Sequence, residues 1–324
     1  MFEQLFWSLT HRPYITLFLI TFLLLSWLEQ GKLRTGIWVI SSYLVALLAE
    51  WGSINYGIPF GRYVYHYEAL SNDLVVFGVP FFDSLSFSFL SYVSFSLAQF
   101  FMSPLWIKAY DVQRVTPAEV RNSVPVLLLG AFLMLVVDLI VDPIANLGRY
   151  WFLGDIYHYP EPGVHFGVTL ANYAGWYIVA TVTIFLNQRI DRILMNRERR
   201  RGEPVRLAYM PCKGLFALCF WSGIVIFQLG VTYWLAYGGE PIPDQDRLKL
   251  QALTGSFIIA PILVLAVMQL LKPSNRVHGD DVREQISTHP VGASVQDKAE
   301  ALGMSPPSSL LTAARGNESS RSAR

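Results

Sequence analysis

Residues 166–188, 214–239 and 250–271 contain not one Asp, Glu, Lys or Arg. Each run is at least as long as the roughly twenty apolar residues needed to cross bilayer hydrocarbon. Few folds are open to such a chain, because backbone polar groups in lipid must be satisfied inside a helix or a closed barrel. Further apolar runs lie near 14–28, 35–51, 74–101 and 124–141. The second of these ends on Glu50 and the third is interrupted by Asp83. The pattern predicts an all-α, polytopic membrane helical bundle with about seven transmembrane helices, near 14–28, 35–51, 74–101, 124–141, 166–187, 214–237 and 248–271. Composition agrees: 15% of residues are charged, against about 25% in soluble domains.

Loop charge predicts orientation, since cytoplasmic loops carry excess Lys and Arg. After the fifth span come Arg189, Arg192, Arg197, Arg199, Arg200, Arg201, Arg206 and Lys213. Lys108, Arg114 and Arg121 follow the third span, and Lys32 and Arg34 follow the first. With seven spans all three groups fall on one side, placing the N-terminus outside a cell (inner) membrane and the C-terminus in the cytoplasm. Residues 1–10 include Glu3 and no basic side chain, so the first span reads as a retained helix and not a cleaved signal. The division expected is a membrane domain over 1–272 and a disordered cytoplasmic tail over 273–324, rich in Ser, Ala, Gly and mixed charge. Asn317-Glu318-Ser319 fits a glycosylation sequon that such a location makes irrelevant. A net charge of +1 excludes bulk attraction to nucleic acid. Cys212 and Cys219 form neither a metal spacing nor a disulfide framework. The serines of the third span (Ser84, Ser86, Ser88, Ser91, Ser94 and Ser96) suit close helix packing.

Two stretches repeat the same features in the same order. Gly61-Arg62-Tyr63, Tyr65-His66-Tyr67 and Phe77-Gly78-Val79-Pro80 answer to Gly148-Arg149-Tyr150, Tyr157-His158-Tyr159 and Phe166-Gly167-Val168-Thr169. Glu50 precedes the first set and Asp138 the second; Asp83 follows the first and Asn172 the second. The expected unit is helix, polar aromatic loop, helix, over about 36–102 and 124–188. Both units start from the cytoplasmic side, a parallel internal repeat with its axis along the membrane normal. Their loops would sit over a shared cleft at the outer face.

Four carboxylates lie in or near hydrocarbon: Glu50, Asp83, Asp138 and Asp142. Such groups are expensive there and face a bundle interior or a wet cavity. Asp138 and Asp142 share a helix face, with Asp138 about 6 Å deeper. Pro143 predicts that the helix ends at Asp142. The plain alternative is that these acids cap helices or pair with Arg62 and Arg149. Burial favours the neutral carboxyl, so such an acid can hold a proton for general-acid work. Tyr63, Tyr65, Tyr67, Tyr150, Trp151, Tyr157, Tyr159, Tyr173 and Trp176 surround it in sequence, as an interfacial belt or as ring faces for a cation. His66, His158 and His165 lack a metal-binding spacing.

Glu50, Gly57, Pro59-Phe60-Gly61, Tyr63, Tyr65, Val79-Pro80, Asp138, Asp142-Pro143, Gly148, Trp151, Phe166-Gly167-Val168 and Asn172-Tyr173-Ala174-Gly175-Trp176 together form a pattern. It resembles the bacterial and archaeal carotenoid biosynthesis membrane-protein family, to which carotenoid 1′,2′-hydratases and bisanhydrobacterioruberin hydratase belong. Thr169 stands where that family usually has Pro, and Leu85-Ser86-Phe87 lacks its Trp. The resemblance implies addition of water to a terminal C=C bond of an acyclic carotenoid, by protonation to a tertiary cation. It implies a lipophilic polyene substrate, a bilayer setting, no metal or other cofactor, and other membrane enzymes of the same pathway as neighbours. On this reading Glu50 or Asp138 donates the proton, and Asp142 or Asp83 with Asn172 orients the water. Arg62 and Arg149 tune the acids. Tyr63, Tyr65, Trp151, Tyr173 and Trp176 join them as substrate-binding residues. Two alternatives remain at this point. One is an intramembrane prenyl transferase holding Mg-diphosphate on Asp138-x-x-x-Asp142, which magnesium-independent activity would count against. The other is a carotenoid- or lipid-binding protein without turnover.

Overall fold

The computed structural model of the chain describes residues 1–275 except positions 109, 115, 117, 153, 202–209, 239–241 and 243. The long apolar runs are helical, since a helix satisfies every backbone N–H and C=O within its own segment. In chain order the helices are α1 (Phe2–Thr10), α2 (Pro13–Gln30), α3 (Lys32–Tyr56), α4 (Phe81–Met102), α5 (Ala118–Arg121), α6 (Val124–Ala145), α7 (Leu170–Arg201), α8 (Phe216–Tyr237) and α9 (Gln245–Leu271). Among the described residues six helices are long and apolar enough to cross a membrane: α2, α3, α4, α6, α8 and α9. The fifth predicted span, without residues 166–169, forms the first part of α7, whose later turns carry the arginine run.

Several boundaries differ from the sequence reading, each for a physical reason. Residues 74–80 are apolar, but they form a hairpin of β2 (Val75–Val76) and β3 (Val79–Pro80), with β1 (Val64–Tyr65) before it in the chain. The turn residues Phe77 and Gly78 have φ of 52° and 84°, which a helix cannot accommodate. Helix α6 does not stop at Asp142 but runs through Pro143 to Ala145, and the Asn146 N–H donates to the Asp142 carbonyl at 2.9 Å to close the turn. The arginine segment is helical as far as Arg201, while Arg206 lies outside the described residues. The predicted tail starts with an ordered turn, Pro273–Asn275, in which Asn275 is buried and accepts from the Leu105 N–H at 3.2 Å. Positions 276–324 lie outside the described residues.

Helix α4 is the most buried of the six. Ser84, Ser88, Ser91, Ser94 and Ser96 are all buried on it, and the Trp38 Nε1–H of α3 donates to Ser91 at 3.1 Å. Small side chains let neighbouring backbones come close. On the facing helix, a Cβ at Gly130 would stand 3.2 Å from the Phe95 Cα.

A buried ionic layer ties the helices at the end carrying the basic residues. Asp191 of α7 accepts from Arg34 Nε at 2.6 Å and Arg121 Nε at 2.9 Å. Arg34 also grips Glu198 with both terminal nitrogens, at 2.7 and 2.8 Å. A second hairpin, β4 (Leu105–Lys108) with β5 (Asp111–Arg114), closes this end, and Arg114 donates to Ser96 and pairs with Glu29 of α2. At the opposite end α1 packs against α2 and α4. Ser8 donates to Asp73, and Arg12 is buried against the same carboxylate at 2.7 Å.

Gly175 marks a close approach of α7 to the 57–61 loop in that half. A Cβ there would meet the Phe60 Cδ1 at 2.6 Å, the Pro59 carbonyl at 2.8 Å and the Phe60 Cα at 2.9 Å. Backbone atoms cannot rotate away, so Gly175→Ala must push α7 off the 57–61 loop. Overpacking of this kind costs about 1–3 kcal/mol, and a lowered thermal midpoint in detergent is the expected result.

Candidate functional site

The helix ends opposite the basic layer converge on a cavity of about 120 Å³. Its polar end is made by Glu50 from the last turns of α3, Asp83 from the first turn of α4, Asp142 near the end of α6 and Asn172 at the start of α7. The remaining wall is largely aromatic: Tyr14, Phe18, Phe60, Tyr63, Tyr65, Phe82, Phe89, Trp151, Tyr157, Tyr159 and Trp176.

Tyrosine hydroxyls bridge the acids. Tyr63 donates to Glu50, and Tyr65 lies between Glu50, at 3.4 Å, and Asp83, to which it donates. Tyr157 and Tyr159 donate to the two oxygens of Asp142 at 2.7 and 2.8 Å. The Asn172 amide nitrogen spans Asp138 and Asp142 at 2.9 and 2.8 Å. Burial, then the neighbouring Asp83 charge, pushes the Tyr65 hydroxyl well above its ordinary range. Burial and Asp142 do the same for Tyr157 and Tyr159. At neutral pH these three phenols therefore stay protonated and serve the carboxylates as donors.

Local backbone explains how two distant loops reach one site. Strand β1 pairs antiparallel with β6 (Tyr157–His158), setting Tyr65 opposite Tyr157 and Val64 opposite His158. Side chains alternate along a strand, so Tyr65, Tyr157 and Tyr159 point inward while His66 and His158 meet on the outer side at 2.6 Å. Phe166-Gly167 repeats the turn of Phe77-Gly78, with φ of 52° and 88°. The flanking pairs also correspond, His165 with Val168 and Val76 with Val79.

Of the sequence-predicted site residues, Glu50, Asp83, Asp142, Asn172, Tyr63, Tyr65, Trp151 and Trp176 line the cavity. Asp138 is fully buried behind it, with one oxygen on Asn172 and Oδ1 without a hydrogen-bond partner among the described residues. Tyr173 is buried and hydrogen-bonded to His165 at 2.5 Å, outside the cavity wall. Burial lowers the His165 imidazole below its ordinary range. Arg62 is exposed and is not part of the wall. Arg149 lies in the single turn Gly148–Tyr150, and its side chain is outside the described residues. The arginine next to the site is Arg12, stacked 3.9 Å over the ring of Phe82. Sequence reasoning passed over Arg12, Tyr14, Phe18 and Gln228, because each stands in a segment with no other signal of chemistry.

The model of the family described as carotenoid biosynthesis protein matches residues 11–238. The chain belongs to this family. All the cavity-lining residues fall within the matched stretch, and α9, which lies beyond it, adds none. Bisanhydrobacterioruberin hydratase of Haloarcula japonica is 28% identical over 207 residues, covering 63% of this chain. The chain spans 60% of the length of that relative. No solved structure matches the chain.

Proposed function

We propose that this chain is a membrane-embedded carotenoid hydratase that adds water across a terminal C=C bond of an acyclic carotenoid end. The observation that carries this is the cavity itself: three carboxylates and their tyrosine donors in a wall that is otherwise largely aromatic. The family and the hydratase relative supply the substrate class.

Volume limits how the substrate sits. An apolar cavity of about 150 Å³ holds one benzene ring, so 120 Å³ admits a branched chain end and not a whole polyene. The remaining length would lie in the bilayer against α2 and α8, whose half-buried rings Phe18 and Phe227 touch at a centroid distance of 6.0 Å.

Glu50 and Asp138 are the two candidate acids, and Glu50 is the one on the cavity wall. In the proposed reaction its proton forms a C–H bond at the less substituted alkene carbon, using the π electron pair. The tertiary carbon becomes cationic beside the faces of Tyr63, Trp176 and their neighbours. Water oxygen bonds to that carbon and releases a proton to Asp142 or Asp83, and Tyr65 links Asp83 back toward Glu50. Asn172 holds Asp142 and Asp138 in register.

The same reading takes α7 as a seventh span, with an outer N-terminus and a cytoplasmic C-terminus in a cell (inner) membrane. It takes α3–α4 and α6–α7 as the two halves of a parallel repeat. The pairing of Tyr65 with Tyr157 and the matched Phe-Gly turns support that relation.

Expression in a host that accumulates lycopene, followed by mass analysis of the pigments, tests the activity. The expected product carries one or two added waters. Unchanged pigment across several acyclic polyenes would overturn hydration and leave a binding role.

A further inference from the structure

Gln228, like Tyr14 and Ser86, is a polar group of the cavity that the scheme above does not use. It stands in the middle of α8, a helix of 22 residues without a charged side chain. It is 4% exposed and lines the cavity, and its Oε1 has no hydrogen-bond partner among the described residues. The neighbouring Thr232 hydroxyl is not the missing donor, because it is bonded to the Gln228 backbone carbonyl at 2.9 Å. This oxygen has under 1 Å² of exposed surface; buried carbonyl groups are almost always satisfied, and a turn of the side-chain amide into the cavity that Gln228 lines would give it a donor there. The other α8 residue on the wall is Ile224, and α2 contributes Tyr14, Ile15 and Phe18 to the same cavity.

We propose that Gln228 holds the water that captures the carbocation, and so sets whether the cation becomes an alcohol or returns to an alkene. This rests on the hydration reading. Glu50, Asp83 and Asp142 enter the cavity from α3, α4 and α6, while Gln228 enters from α8, on a different wall. A neutral amide oxygen accepts one hydrogen of a water molecule and leaves the water lone pair free for the cationic carbon. It adds no charge that would compete with the acid. Once the proton of the carboxylic acid has formed the new C–H bond, two outcomes are open. Water oxygen can bond to the tertiary carbon and pass a proton to a carboxylate, giving the alcohol and restoring the acid. Alternatively, a carbon next to the cation can lose a proton to the same carboxylate and re-form a C=C bond, at the original or a shifted position. The second route consumes no water.

The test uses the full chain in membranes, an acyclic carotenoid and D₂O. An alkene that has passed through the cation and lost a proton returns carrying deuterium, which mass analysis reads. Gln228→Leu should lower alcohol about tenfold or more, the factor that one lost transition-state hydrogen bond is worth, while deuterium in recovered alkene persists or rises. Gln228→Glu, which restores an acceptor oxygen, should recover alcohol. Gln228→Met serves as a second apolar variant of similar volume should the Leu variant not accumulate. An unchanged ratio of alcohol to deuterated alkene in the folded apolar variant overturns the proposal, as does parallel loss of both. A wild-type chain that forms neither product overturns the hydration reading, which separates the two failures.

Discussion

Glu50→Gln is expected to lower water addition by about 10²–10⁴-fold, the usual contribution of a general acid, with little change in thermal midpoint. The substitution keeps the shape and leaves an oxygen for the Tyr63 hydroxyl, so the packing at the end of α3 survives. What it removes is the proton. Asp138→Asn makes the informative comparison. Asp138 is also buried but lies behind Asn172, off the cavity wall. A group there acts on the reaction only through Asn172 and Asp142, so its loss should be smaller than that of Glu50→Gln. Rates of product formation in membranes, normalised to folded protein, check both. Full activity in both variants eliminates these two carboxylates as the acid, and a larger loss at Asp138 reverses the assignment.

The acids were readable from sequence because charge in an apolar run is costly wherever the chain folds. Glu50, Asp83 and Asp142 could be placed near one another by helix ends alone, since each stands at the same end of its span. The residues that complete the cavity carry no such signature. Gln228 is one uncharged amide in a long apolar helix, and only the missing partner of its Oε1 sets it apart. Arg12 looks like a flanking charge until the fold brings Asp73 to it across sixty-one positions. Arg62 sits in a repeated motif, yet motif position says nothing of exposure, and its side chain faces outward. The hairpin over 75–80 was hidden for a related reason. A short apolar run fits strand and helix equally, and only the turn formed by Phe77 and Gly78 decides between them.

The ionic layer at the other end yields the second large effect. Asp191→Ala is expected to destabilise the protein by about 3–5 kcal/mol, the cost of removing one partner from a buried ion pair, and to leave product identity unchanged. Asp191 is 5% exposed and receives Arg34 on one oxygen and Arg121 on the other. Both guanidiniums are themselves buried, at 4% and 5% exposure, so neither can turn to water when the carboxylate goes. Arg34 would keep Glu198, and Arg121 would keep the Gln30 oxygen at 2.6 Å, which limits the damage without neutralising the excess charge. These two arginines count as loop charges in the sequence, yet they are internal struts that hold α3 and α5 against α7. The exposed arginines of α7 are instead Arg189, Arg192, Arg197, Arg200 and Arg201, the kind of charge on which the orientation rule rests. A melting curve in detergent for Asp191→Ala, set beside Arg197→Ala, separates the two kinds of positive residue. The first should lose many degrees and the second almost none, and equal shifts would show that the buried layer does not hold the bundle together.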